Sequence, residues 1–146
     1  MIKDKITRRV LDCFRHGNKL IFMGCGGSSA MSDHAAGEFL GKGFPAISLT
    51  NPAIITAIGN DYGFDEVYSR QITALGVDGD IVIALSTSGK SKSILNGLQR
   101  AREMGLVTID WPRNRIKKND LDTARIQEYQ LKLIHNIYLA VDKYFK

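Results

Sequence analysis

The stretch Ile81-Val82-Ile83-Ala84-Leu85-Ser86-Thr87-Ser88-Gly89-Lys90-Ser91 decides how the rest of the chain is read. Five uninterrupted apolar residues, three of them β-branched, have the pattern of a strand buried on both faces. The run passes directly into a turn of hydroxyl residues and glycine, and residues 91–104 then have helical character. A buried strand that feeds a helix is the repeating unit of a parallel sheet covered on both sides. Leu20-Ile21-Phe22-Met23, closed by Gly24, has the same form. Ala46-Ile47-Ser48-Leu49, entered through Pro45, and residues 106–109 are further short strands.

Helical spacing fills the intervals. Ile2, Ile6, Val10, Leu11 and Phe14 place a helix over residues 2–16, stopped by His16-Gly17-Asn18. Residues 29–40, 65–75 and 123 to the end also have helical patterns. Asn51-Pro52 opens another helix, with Asn51 as cap and Pro52 at the first position. Asn60-Asp61-Tyr62-Gly63 is expected to be a loop, as are residues 110–122, where Pro112 and the charges disfavour a strand interior. The expectation is one α/β domain over residues 1–146, a three-layer αβα sandwich with a doubly wound parallel sheet of four to five strands.

Composition excludes several classes. Apolar residues make up 44% and charged residues 24%, ordinary for a globular protein. No apolar run approaches the roughly 18 residues of a membrane span, and the charged N-terminus lacks the core of a signal peptide. A cytoplasmic protein without membrane partners is expected. Cys13 and Cys25 have neither CxxC nor His-rich spacing, which favours reduced thiols over a disulfide or thiolate metal site. The net charge of +5 is scattered apart from Arg113, Arg115, Lys117 and Lys118, without interleaved aromatic residues. No nucleic-acid partner is expected; the charge suits a solvated surface or anionic substrates.

In open α/β sheets, ligands sit where strands turn into helices at their carboxyl ends. Two such turns are rich in small hydrogen-bonding residues: Gly24-Cys25-Gly26-Gly27-Ser28-Ser29 and Ser86-Thr87-Ser88-Gly89-Lys90-Ser91. The second combines four hydroxyls, backbone N–H groups and a helix N-terminus, all favourable to a phosphate; a plain helix start capped by Ser91 has the same composition. Neither turn is a Walker loop, and the first lacks the third glycine of GxGxxG, so no nucleotide cofactor is expected. His34 and Glu38, at i and i+4, share a helical face. They can share a metal or act as a base and its orienting partner, or belong to an exposed polar face. His135 lies among Leu131, Leu133, Ile134 and Ile137, where a buried structural histidine is also at home.

Taken together, these segments resemble the phosphoheptose isomerase family of phosphosugar-binding SIS domains. Gly24-Cys25-Gly26-Gly27-Ser28 through His34-Ala35-Ala36-Gly37-Glu38 is similar to the family's Gly-Asn-Gly-Gly-Ser…His-x3-Glu. Ala57–Phe64 with Ser69-Arg70-Gln71, the Leu85–Ser91 turn, and Thr123–Glu128 followed by Ile134-His135 resemble its remaining blocks. The resemblance implies an aldose–ketose isomerase that converts sedoheptulose 7-phosphate to D-glycero-D-manno-heptose 7-phosphate through an enediol, a step toward heptose in lipopolysaccharide or capsule. By the same carry-over, Ser86, Thr87, Ser88 and Ser91 hold the phosphate with Ser28 nearby, and Asn60, Asp61 and Gln127 contact the substrate. Glu38 and His135 move protons, and His34, Glu38, Gln127 and His135 bind zinc. A homotetramer with sites at subunit interfaces is also implied. The alternative is a non-catalytic SIS protein, either a sugar-phosphate sensor or a relative of the DnaA-associating replication regulator.

Several positions depart from the family pattern. Cys25 stands in place of Asn, and Met31 in place of an Asp, with Asp33 close by. Gly37 interrupts the helix that carries His34 and Glu38, at a cost of up to about 1 kcal/mol relative to Ala. The family's N-terminal oligomerisation helix is expected to be missing before Met1, either as a true deletion or as a segment outside this sequence. It is also shorter at residues 41–45 and at 110–122, where the family's last strand would lie.

Overall fold

The computed structural model describes residues 4–111 and 122–146. Its elements run α1 (Lys5–Arg15), β1 (Leu20–Gly24), α2 (Gly27–Leu40), β2 (Ala46–Ser48), α3 (Pro52–Tyr62), a 3₁₀ turn at Phe64–Glu66, α4 (Val67–Leu75), β3 (Ile81–Leu85), α5 (Lys92–Glu103), β4 (Val107–Trp111) and α6 (Thr123–Phe145). Local chemistry explains the helix starts. The Asp4 carboxylate accepts from the Thr7 amide at 2.8 Å, Asn51 Oδ1 accepts from the Ala53 and Ile54 amides, and Asp122 accepts from the Arg125 amide.

Among the described residues the sheet has four strands in the order β2-β1-β3-β4, all parallel. Leu20 pairs with Ile81 and Gly24 with Leu85, so β1 and β3 end at the same level. Strand alternation divides the core into two layers. Leu20, Phe22, Ile81, Ile83 and Leu85 point to one face, where they meet Val10 of α1, Phe39 of α2 and Ile134 of α6. Ile21, Met23, Val82 and Ala84 point to the other, against Tyr68 and Ile72 of α4 and Ile94 and Leu98 of α5. The strands are buried along their whole length because both faces are covered, and each large apolar side chain removed from water contributes about 1.5–3 kcal/mol. This is the three-layer, doubly wound arrangement expected from the sequence.

Two local expectations are corrected. Asn60, Asp61 and Tyr62 form the last turn of α3, and the chain breaks at Gly63, whose φ of 93° ends the helix. Asp110 and Trp111 extend β4, paired with Ala84 and Leu85, because the backbone follows β3 along its full length. Any fifth strand, and the Arg113–Lys118 cluster, fall outside the described residues. Among the described residues, no helix is long and apolar enough to cross a membrane.

The ends of β1 and β3 are tied by one buried carboxylate. Asp80, fully buried, accepts from Lys19 Nζ at 2.5 Å, the Lys19 amide at 3.0 Å, Asn18 Nδ2 at 3.2 Å and the Val77 amide at 2.9 Å. Both strands therefore start from a common anchor, which fixes where their carboxyl ends finish.

Candidate functional site

The connection leaving β1 runs to one side of the sheet and the connection leaving β3 to the other, so the two central strands form the topological switch point. The two turns singled out from the sequence are those that leave β1 and β3. They meet over a cavity of about 60 Å³ lined by Cys25, Ser28, Ser86, Thr87, Ser88 and Ser91, with Leu85 and Ile94 at its base. That is roughly the space of two water molecules, enough for a compact anion.

The hydroxyls are arranged to donate. Ser86 Oγ accepts from the Gly89 amide and Ser88 Oγ from the Lys90 amide, each at 3.0 Å. A hydroxyl that accepts from an N–H still holds its own proton for an incoming acceptor. Ser91 occupies the N-cap position of α5 but makes no side-chain capping bond, contrary to the plain capped-helix reading. Its hydroxyl instead lines the cavity beside the positive end of α5.

The first turn is held from below. Tyr68 Oη donates to the Gly24 carbonyl at 2.7 Å, and Cys25 Sγ lies 3.6 Å from Tyr68 Oη and 3.8 Å from Ser93 Oγ. Burial, reinforced by the contact with Cys25, pushes the Tyr68 phenol above its ordinary value, so it remains a donor. A Cβ on Gly24 would come within 2.7 Å of the Ser28 carbonyl, so this position must be glycine. Gly26, with φ 58°, takes the cap position of α2 in the left-handed region.

The second cluster lies further along α2. α6 crosses the sheet beside α2 and brings His135 to His34, 101 positions earlier in the chain. Their Nε2 atoms are 3.0 Å apart, with the rings edge-to-face. Glu38 Oε1 is 3.4 Å from His34 Nε2 and 4.0 Å from His135 Nε2. His135 is therefore no buried structural histidine; its side chain is 40% exposed. The facing surface of α6 is sealed by Ile134 and Ile137.

The three donor atoms lie within 4.8 Å of one another. Tetrahedral zinc, with bonds of about 2.0–2.1 Å, needs donors roughly 3.3 Å apart, close to the three separations here. Two imidazoles and one carboxylate suit a catalytic divalent site with an open position. The same groups can also exchange protons with a bound substrate.

The remaining expected residues are distributed differently. Gln127 lies at the start of the α2–α6 contact, where a Cβ on Gly27 would meet its Nε2 at 2.7 Å. Asn60 and Asp61 are exposed at the end of α3, with Asn60 Nδ2 donating to Asp61 Oδ1 at 3.0 Å. Within this chain neither residue touches the two clusters. Asp33 is engaged by Ser48 Oγ at 2.6 Å and by the Thr50 hydroxyl, pinning the end of β2 to α2. Sequence reasoning missed Lys42 and Tyr138, which join His34, Gly37, Glu38 and Gly41 around an open depression of about 440 Å³. The readable signals were the i, i+4 spacing of Glu38 and Lys42, and Tyr138 one turn after His135.

The Gly27 contact gives a direct prediction. Gly27→Ala is expected to leave stability within about 1 kcal/mol, since only the flexible end of Gln127 must move. It should displace that carboxamide and lower kcat/KM. Thermal melting together with steady-state kinetics checks both parts.

The SIS domain family profile matches residues 4–110. The phosphoheptose isomerase of Bradyrhizobium sp. (strain ORS 278) is 42% identical, aligned over 95% of this chain and 79% of its own length. That of Trichlorobacter lovleyi is 43% identical over 90% of this chain and 76% of its own. The structure of the phosphoheptose isomerase from Neisseria gonorrhoeae superposes with a TM-score of 0.87 at 34% identity, covering 94% of this chain and 83% of that one. That from Francisella tularensis gives 0.84 at 28% identity, with the same coverage.

Proposed function

Because this chain belongs to the phosphoheptose isomerase family of SIS-domain proteins, we propose that the two clusters are the two ends of one active site for sedoheptulose 7-phosphate. The single observation that carries the assignment is that His34 and Glu38, which meet His135 of α6, stand on the same α2 helix whose first turn holds Ser28. Six residues separate Ser28 from His34 and ten separate it from Glu38, about 9 and 15 Å along a helix. An open seven-carbon chain with its terminal phosphate spans roughly 10 Å when extended. With the phosphate at Ser28, Ser86, Thr87, Ser88 and Ser91, the carbonyl end reaches the His–Glu–His cluster. A non-catalytic role on this fold is not favoured, since the relatives are isomerases.

The chemistry follows from the residues. The ketose carries its carbonyl at C2 and two hydrogens at C1. The Glu38 carboxylate removes one C1 proton, the C1–H electrons form the C1=C2 bond, and O2 takes a proton to give the enediol. Loss of the O1 proton and return of a proton to C2 leave an aldehyde at C1, with every atom conserved. His135 carries protons between O1 and O2, and His34, in contact with it, fixes its ring. Gln127 is given to the substrate. About 12 Å of helix separates it from His135, so it would reach the same ion either with both side chains extended towards each other or through a second subunit. Zinc at His34, Glu38 and His135 would polarise the carbonyl and lower the cost of removing the C1 proton.

Residues 1–146 act as one domain in this reading, because α6, beyond the matched SIS segment, supplies His135. The working form is a cytoplasmic homotetramer serving heptose biosynthesis for surface glycans. In support, α3 buries none of its residues, and Ile54, Tyr62 and Phe64 are 44–56% exposed around Asn60 and Asp61. A second copy over this face would bring Asn60 and Asp61 to a neighbouring site.

The test is incubation of the protein with sedoheptulose 7-phosphate, with and without added zinc, and identification of the sugar formed. Manno-heptose 7-phosphate is expected, faster with zinc. No heptose product under either condition would end the catalytic assignment.

A further inference from the structure

We propose that Lys90 supplies the counter-charge for the substrate's phosphate group and so sets how tightly this chain captures a phosphate monoester. The inference rests on the reading of the Ser86–Ser91 turn as the phosphate site. That cavity is walled by hydroxyls, the Cys25 thiol and the apolar Leu85 and Ile94, with no ionised side chain among its lining residues. A phosphate monoester carries close to two negative charges at neutral pH. The α5 N-terminus offers the equivalent of about half a positive charge, and the hydroxyls none. An uncompensated anion would therefore remain unless a cation approaches from the rim.

Lys90 and Lys92 flank Ser91 of that turn in the sequence, and their surroundings differ. Lys92, at the first position of α5, has its Nζ 3.1 Å from the Asp65 carboxylate. Its charge is already balanced by that carboxylate. Lys90 lies within the turn itself, directly after Gly89, whose φ of 64° is in the left-handed region. The Lys90 amide donates to Ser88 Oγ at 3.0 Å, which ties the residue's backbone to the phosphate-facing hydroxyls. Its side chain is exposed, and no described residue pairs with its ammonium. A flexible, strongly hydrated ammonium on a long stem suits closure over an anion that has entered. Since Lys90 stands at the opposite end of the site from Glu38 and His135, its charge acts on binding and not on proton transfer.

The experiment compares wild type, Lys90→Gln and Lys92→Gln by calorimetric titration with inorganic phosphate and by kinetics with sedoheptulose 7-phosphate at low and high salt. Lys90→Gln is expected to raise both the phosphate Kd and the KM about tenfold at low salt, with kcat retained within twofold. The loss should shrink at high salt, as screening already weakens the contact in wild type. Lys92→Gln should change both constants less than twofold. A phosphate Kd in Lys90→Gln within twofold of wild type, or a fall in kcat at unchanged KM, overturns the proposal, as does failure of the wild type to bind phosphate. Should the wild type bind phosphate through Lys90 but form no heptose product, the isomerase reading fails and this inference stands.

Discussion

Glu38→Gln is expected to lower kcat by about 10²–10⁴-fold, the range associated with loss of a general base. The substitution keeps the size and shape of the side chain but removes its capacity to take a proton from C1. Glu38 is partly exposed and its neighbours are the His34 and His135 rings, so no buried group loses its only partner. The unfolding midpoint should therefore match wild type, which separates chemistry from folding. KM should move far less than kcat, because the phosphate is gripped at the opposite end of the substrate from the carbon that Glu38 deprotonates. His135→Ala should lower kcat in the same direction. The double variant should be little worse than Glu38→Gln alone, since residues that act as a unit are not additive.

The second large effect is on stability. Asp80→Ala is expected to cost about 3–5 kcal/mol, measured by denaturant unfolding, because it removes one partner of a buried ion pair. Lys19 Nζ and the Lys19 and Val77 amides lose this acceptor together, while the Asn18 carboxamide keeps the Asp78 carbonyl. Lys19 is 24% exposed and can recover some hydration, which places the effect toward the lower end. Acid should act through the same group. Burial alone would raise the Asp80 pKa, but the Lys19 ammonium, the two amides and Asn18 outweigh it and hold the carboxyl below its ordinary value. A depressed folded-state pKa means that the stabilisation is complete above the unfolded value, near 3.9, and is lost as pH falls through the folded one. Wild type should therefore lose stability below about pH 4 with a slope that Asp80→Ala lacks.

Most of the fold was legible because the strands are buried on both faces. Residues 20–24 and 81–85 are apolar without a break, and such runs identify central parallel strands irrespective of the loops around them. Boundaries were less legible where two signals compete. Asn60-Asp61-Tyr62 has loop composition, yet the helix begun by the Asn51 cap runs through it, and only the backbone of Gly63 stops it. Asp110 and Trp111 were drawn into β4 by pairing with β3, a tertiary effect that composition cannot register. At the site, the i, i+4 spacing of His34 and Glu38 was visible, but no local pattern could join them to His135. That contact depends on α6 running alongside α2, and only resemblance to a family suggested it. Lys42 and Tyr138 went unnoticed because their proximity to Glu38 is a property of the groove between the two helices.

The most direct measurement is deuterium uptake from D₂O during turnover of sedoheptulose 7-phosphate, followed by NMR in wild type and Glu38→Gln. Proton transfer by the carboxylate predicts deuterium at C2 of the aldose formed by wild type and almost none with Glu38→Gln. Uptake at an undiminished rate in Glu38→Gln would contradict the assignment of the base.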